Sequence, residues 1–172
     1  SAVSTQRDMT LVRVVLDAGF NLCCGQLDEL VATPGATPEA RRDQWIRTAD
    51  RKTSALLGMA CETGAMLVNA RHRATWALGR YGRLVGRAFQ IMDDVLDYTG
   101  DAGEIGKNLG DDLAEGKMTL PLIRALAVAG EADRTLIRHA IEGGGRLDDF
   151  APVRAALERS GALEYARERA RG

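Results

Sequence analysis

The chain has 172 residues, a formal net charge of −1, 27% charged and 45% hydrophobic side chains, and three cysteines. A nearly neutral balance, with dispersed basic residues and few aromatics, excludes an electrostatic nucleic-acid surface. The length points to a single domain, residues 1–172, large enough to bury a core. Cys23 and Cys24 are adjacent and Cys61 stands apart, so there is no disulfide framework and no zinc-type spacing; reduced thiols in a cytoplasmic protein are the expectation. The first thirty residues carry Arg7, Asp8, Arg13 and Asp17, which fits neither a signal peptide nor a membrane span, and no later apolar run is long enough to span.

Apolar spacing predicts helix throughout. Leu11, Val14, Val15, Ala18, Leu22 and Leu27 keep helical spacing until Pro34 and Gly35 stop it. Thr37-Pro38-Glu39 reads as a helix start: a capping threonine, proline in the first turn and an acid at the positive end of the dipole. A second pattern runs from Lys52 through Leu56, Leu57, Met59, Ala60, Met66 and Leu67, and a third from Leu78 through Tyr81, Val85, Ala88, Met92 and Val95 to Leu96. Shorter helices are expected from near Thr119, Glu131, Leu147 and Gly161, divided by Gly143-Gly144-Gly145 and similar breaks. Alternating strands, internal repeats and low-complexity segments are not found, and the predicted fold class is all-α.

Gly79, Gly82 and Gly86 lie inside the third helix, where each costs about 1 kcal/mol against alanine. Two readings stay open: close approach of a neighbouring helix backbone, or room along a cavity for a long apolar chain. His72 and His139 sit among polar residues and are expected at the surface. Trp45 and Trp76 are expected in the core or between helices.

The stretch FQIMDDVLDYTGDAGEIGKNLGDDLAEGKMTLPL, Phe89 to Leu122, is the most informative. Gln90, Asp93, Asp94 and Asp97 fall within eight residues and share one helix face. A glycine-punctuated loop then returns Lys107, Asp111, Asp112 and Lys117 toward the same end. Carboxylates so close repel by about 1 kcal/mol per pair near 4 Å even in bulk water, and by more where water is excluded. A hard cation relieves that repulsion, and the lysines call for an anion; a diphosphate carried on magnesium meets both needs. The spacing fits neither an EF-hand nor a P-loop. An EF-hand from Asp97 would need glycine at Ala102 and glutamate at Asn108, and a P-loop would need serine or threonine where Asn108 follows Lys107.

This block resembles the second aspartate-rich region of the trans-isoprenyl diphosphate synthases, particularly the medium- and long-chain polyprenyl synthases. The matching features are FQ-x-x-DD-x-x-D (Phe89, Gln90, Asp93, Asp94, Asp97), G-K-N-x-G-D-D (Gly106 to Asp112) and E-G-K-x-T-L-P (Glu115 to Pro121), in order and without gaps. Upstream, Lys52-Thr53 is similar to the family's Lys-Thr pair, and Ser160-Gly161-Ala162-Leu163 with the arginine-rich end is similar to its last helices. The resemblance implies the isoprenoid synthase helical bundle and a prenyltransferase. In that chemistry an allylic diphosphate ionises, isopentenyl diphosphate attacks the cation, and proton loss gives a product five carbons longer with release of pyrophosphate. It implies Mg2+ on Asp93 and Asp97, with Asp94 as a ligand or supporting partner. Lys52, Lys107 and Lys117 are implied on the diphosphate oxygens, and Thr53 and Gln90 near the reacting carbon. Asp111 and Asp112 are equally suited to a helix start.

One departure is an absence. Family members carry a first aspartate-rich motif followed by paired arginines, on a helix facing the second. This chain shows no such motif before Gly25; Arg41-Arg42 follows no aspartate cluster, and Asp148-Asp149 has no third aspartate. The resemblance is therefore to the C-terminal half of a synthase, and the chain alone is expected to be inactive. A complementary synthase chain, or a homodimer as in full-length relatives, is the expected partner. Two other functions share these features: a non-catalytic or regulatory subunit of a heteromeric synthase, and a terpene cyclase of the same fold. Retention of every aspartate and lysine argues against the first, and the FQ-x-x-DD and GK-x-TLP blocks against the second.

Overall fold

The structure, a computed structural model, describes residues 2–31, 35–100 and 109–172. Its elements are α1 (Ala2–Leu30), α2 (Pro38–Ala49), a five-residue π-helical turn (Asp50–Ser54), α3 (Ala55–Leu67), α4 (His72–Thr99), α5 (Asp111–Ala114), α6 (Leu120–Val128), α7 (Glu131–Glu142), α8 (Leu147–Arg159) and α9 (Ala162–Arg171). Among the described residues there is no strand, and no helix is long and apolar enough to cross a membrane. The expected helix starts are observed at α2 and at α6 to α9. At α2 the Thr37 hydroxyl accepts the Ala40 amide at 3.3 Å, the capping role read from the sequence. Cys23, Cys24 and Cys61 are free thiols.

The chain forms two compact units, Ser1–Ala32 with Ile46–Ala88 and Thr33–Trp45 with Phe89–Gly172. In the first unit the helices meet through small residues. Its buried apolar side chains are alanines, Ala18, Ala49 and Ala65, accompanied by Ser54 and by Gly25, Gly58, Gly79, Gly82 and Gly86. A Cβ on Gly25 of α1 would stand 2.7 Å from the Lys52 nitrogen, one on Gly86 of α4 2.6 Å from Ser54 Cα, and one on Gly82 would strike the Leu57 carbonyl and lie 2.9 Å from Cys61 Sγ. The glycines of α4 thus serve close helix approach, the first of the two readings open in the sequence. The π turn is seated between Gly25 and Gly86, and its register was not visible in the apolar spacing. Ion pairs hold it from both sides: Arg51 to Asp28 at 2.7 Å, Lys52 to Glu29 at 2.6 Å, and Arg87 to both oxygens of Asp50 at 2.9 and 2.7 Å.

Large apolar side chains of this unit lie outside. On α1, Met9, Val12, Leu16 and Phe20 are exposed at helical spacing, and on α4 so are Trp76, Tyr81 and Leu84. Trp76 therefore departs from the expected core position: α4 turns its small residues inward at this level, leaving the ring outside with the Arg80 guanidinium 5.6 Å above it.

The second unit is packed in the opposite manner. Tyr98, Leu113, Leu122, Ile137, Val153, Leu157 and Leu163 form one cluster with essentially no solvent exposure, and Tyr98 stacks on Phe150 at a centroid distance of 6.2 Å. A smaller cluster of Ile91, Val95, Leu120 and Ala166 is flanked by Trp45 and Ala170. Gly110 has φ +84°, and a Cβ there would lie 2.5 Å from the Phe150 ring, so both backbone conformation and space require glycine before α5.

The close approach in the first unit gives a direct test. Gly82→Ala gains about 1 kcal/mol of helix propensity but inserts a methyl against the Leu57 carbonyl, an overpacking cost of about 1–3 kcal/mol or more. The substitution is expected to lower the thermal midpoint. Gly64→Ala, in α3 with nothing within 4 Å of the added carbon, is expected to raise it. Equal shifts in differential scanning fluorimetry would contradict this packing.

Candidate active site

The aspartates of α4 differ in environment although they are neighbours on one helix. Asp94 is 3% exposed and lies at the inner edge of the acidic face. Its Oδ2 accepts the Trp45 indole N–H at 2.8 Å and the Leu120 amide at 3.1 Å, while its Oδ1 accepts the Gln90 side-chain amide at 3.1 Å. Leu120 opens α6, whose own capping residue Thr119 makes no side-chain cap, so Asp94 caps that helix from α4 at its positive end. Burial pushes the Asp94 carboxyl up to about 7; the Leu120, Gln90 and Trp45 donors oppose that rise, and the Asp112 charge adds to it.

Asp97, one turn along, is half-buried, and its Oδ2 is buried with no hydrogen-bond partner. Burial first, then the Asp112 charge, raises its carboxyl to about 6 against the main-chain N–H groups of Asp112 and Gly110. Asp93 is half-buried on the same face. Asp111 and Asp112 form the first turn of α5, so the helix-start reading of these two is realised.

Lys117 lies just beyond α5, with its ammonium 3.1 Å from Asp112 Oδ1 and 2.6 Å from Glu115 Oε2. Burial alone would lower its pKa, but the hydrogen bonds it donates to Glu115 and Asp112 outweigh that and carry it upward, so Lys117 is a fixed cation. Asp112 therefore links the two sequence blocks: its amide reaches Asp97 and its carboxylate holds Lys117.

Lys52 and Thr53 belong to the first unit, on the π turn, both half-exposed; Lys52 is paired with Glu29. Such turns recur at functional positions because the wider ring re-aims side chains. Lys107 lies outside the described residues. His72 and His139 are exposed, as expected. Trp45 and Glu29 are the contacts that sequence reasoning missed. Trp45 stands 49 positions from Asp94, and no local spacing could have joined them.

Among the described residues no three carboxylate, histidine or cysteine side chains converge to enclose a metal. Magnesium is bound by one or two carboxylates together with waters and substrate phosphates. The orphaned Asp97 oxygen fits that donor set.

The anchoring of Asp94 predicts a contrast. Asp94→Ala leaves the Trp45, Leu120 and Gln90 donors without an acceptor and is expected to cost about 2–5 kcal/mol of unfolding free energy. Asp94→Asn keeps an acceptor and is expected to cost less. A carboxyl raised to about 7 in the folded state, against about 4 unfolded, binds more protons when folded, so its contribution to stability declines as pH rises from about 4 to 7. Denaturant titrations across that range should show this decline in the native chain and a shallower one in Asp94→Asn.

A family model described as Polyprenyl synthetase matches residues 1–158. The octaprenyl diphosphate synthase of Haemophilus influenzae is 36% identical over 169 residues, covering 98% of this chain and 51% of that protein. The all-trans-nonaprenyl-diphosphate synthase (geranyl-diphosphate specific) of Rhodobacter capsulatus is 43% identical over 133 residues, covering 77% and 40%. Among solved structures, a polyprenyl synthase from Caulobacter crescentus complexed with calcium and isoprenyl diphosphate superposes with TM-score 0.86 at 30% identity, covering 99% of this chain and 52% of that one. The chain thus spans about half the length of the curated relatives it matches. Its all-helical fold is that of these synthases, and the chain belongs to the polyprenyl synthetase family.

Proposed function

We propose that this chain carries the second aspartate-rich wall of a polyprenyl diphosphate synthase, a transferase that joins an allylic diphosphate to isopentenyl diphosphate and releases pyrophosphate. The observation that carries this reading is the buried, unpartnered Oδ2 of Asp97 on the helix of Asp93, beside the Asp112–Lys117 pair. A carboxylate oxygen withdrawn from water without a donor is costly, and a cation removes that cost. Asp93 and Asp97 would hold Mg2+, and Asp94 would support them from behind. When bound, the ion supplies Lewis-acid stabilisation of the charge that builds on the departing diphosphate.

Lys117 adds a fixed positive charge for the diphosphate oxygens, pre-placed by Asp112 so that no reorganisation is needed as the C–O bond breaks. Lys52 and Lys107 take the same role. Thr53 and Gln90 offer oxygens to the allylic cation. The calcium and isoprenyl diphosphate held by the Caulobacter relative supports the ligand class. Complete turnover belongs to the assembly of this chain with the counterpart of the portion it does not span. That counterpart is either a complementary synthase chain, giving a heteromer, or further sequence of the same polypeptide, giving a homodimer; either assembly acts in the cytoplasm.

Titration calorimetry of the chain with inorganic pyrophosphate, with and without Mg2+, tests the site. Lys117→Ala is expected to weaken pyrophosphate binding about tenfold or more while leaving its metal dependence, the scale of one charge-assisted hydrogen bond. Asp97→Ala is expected to remove the metal dependence itself; unchanged metal dependence would sink the assignment. Because the Asp97 carboxyl is raised to about 6, protons compete with the cation below that pH, so Mg2+-dependent affinity should rise between pH 5 and 7.

A further inference from the structure

We propose that Trp45 is a positioning residue of this site, acting through Asp94 to set the rotation of α4 and the start of α6 against each other. The proposal rests on the reading of the site given above. Trp45 lies on α2, half-buried against the cluster of Ile91, Val95, Leu120 and Ala166. Its indole N–H and the Leu120 amide converge on one oxygen, Asp94 Oδ2, at 2.8 and 3.1 Å. A single carboxylate oxygen thereby joins α2, α4 and α6.

The consequence reaches both halves of the site. Asp93 precedes Asp94 directly and Asp97 follows it by one turn, so holding Asp94 fixes the angle at which both are presented. Leu120 follows Lys117 by three residues, and the Lys117 amide is itself bonded to the Asp112 carbonyl at 2.8 Å. Losing the indole donor leaves Oδ2 with the Leu120 amide alone. The carboxylate is then free to shift its remaining bonds, and α4 to turn with it. The effect of Trp45 passes through Asp94, which accepts its indole N–H.

Two substitutions separate positioning from packing. Trp45→Phe keeps most of the ring and removes the donor. Trp45→His loses ring volume, yet its Nε2 occupies the ring position equivalent to the indole nitrogen and can carry a proton. Mg2+-dependent pyrophosphate binding of the chain is measured well below the thermal midpoint of each variant. Positioning predicts roughly a tenfold loss in Trp45→Phe, recovery in Trp45→His, and no further loss when Trp45→Phe is added to Asp94→Ala. A larger loss in Trp45→His than in Trp45→Phe, or additive losses with Asp94→Ala, would mean that the ring acts by packing alone and would overturn the proposal. Should the unmutated chain bind no pyrophosphate with Mg2+, the proposed function falls, and hydrogen exchange decides the positioning role separately. Faster exchange at the Leu120 amide in Trp45→Phe, restored in Trp45→His, upholds it; unchanged exchange overturns it.

Discussion

A carboxylate withdrawn from solvent is tolerated only where donors replace the water it has lost, and Asp94 meets that condition with groups from separate segments of the chain. The Trp45 indole, the Leu120 amide and the Gln90 amide all point at it. None of these bonds contributes much by itself, because each is exchanged against hydration in the unfolded chain. Their value lies in the asymmetry: a buried carboxyl stripped of its partners is costly, so departures from this arrangement are disfavoured and the helices around it are held in register. The flanking acids Asp93 and Asp97 are less buried than Asp94. Adjacent, chemically identical side chains thus meet different surroundings through burial alone.

The helical elements were legible because apolar side chains recur at helical spacing and because Thr37, Pro38 and the later glycine breaks punctuate them. The motif block was legible too, since Asp93, Asp97, Asp112 and Lys117 sit within one short stretch. What escaped was anything joined across long separation or hidden in backbone geometry. The Trp45–Asp94 bond links positions on different helices, and composition carries no trace of it. The π turn at Asp50–Ser54 shifts helix phase by one residue, and the apolar pattern before it is too weak to show the shift. Trp76 was misplaced for a related reason: its size suggested a core, whereas the glycines that follow it on α4 reserve the inner face for backbone contact. Lys107, named with the other lysines, falls outside the described residues.

Lys52 illustrates how local geometry and charge combine. The π turn is closed in by Gly25 and Gly86, so its backbone has little room to relax. Around it, Asp28, Glu29 and Asp50 neutralise Arg51, Lys52 and Arg87. These pairs are partly solvated and individually weak, but as a set they favour one orientation for the turn. Glu29 satisfies the Lys52 ammonium in the first unit, and Asp112 and Glu115 satisfy Lys117 in the second.

The contrast between the two units bears on how this sequence can change over time. In the first, alanine, serine and glycine fill the helix contacts, so the inner face has little left to lose by truncation. Its permitted drift is confined to the outer face, and any gain in volume inside is penalised. In the second, leucine, isoleucine, valine and tyrosine fill the interior, where loss of volume is the damaging direction. The same polypeptide therefore carries two opposed mutational grammars. The changes that each forbids would mark the limits of the units in a catalogue of tolerated variants, without reference to any ligand.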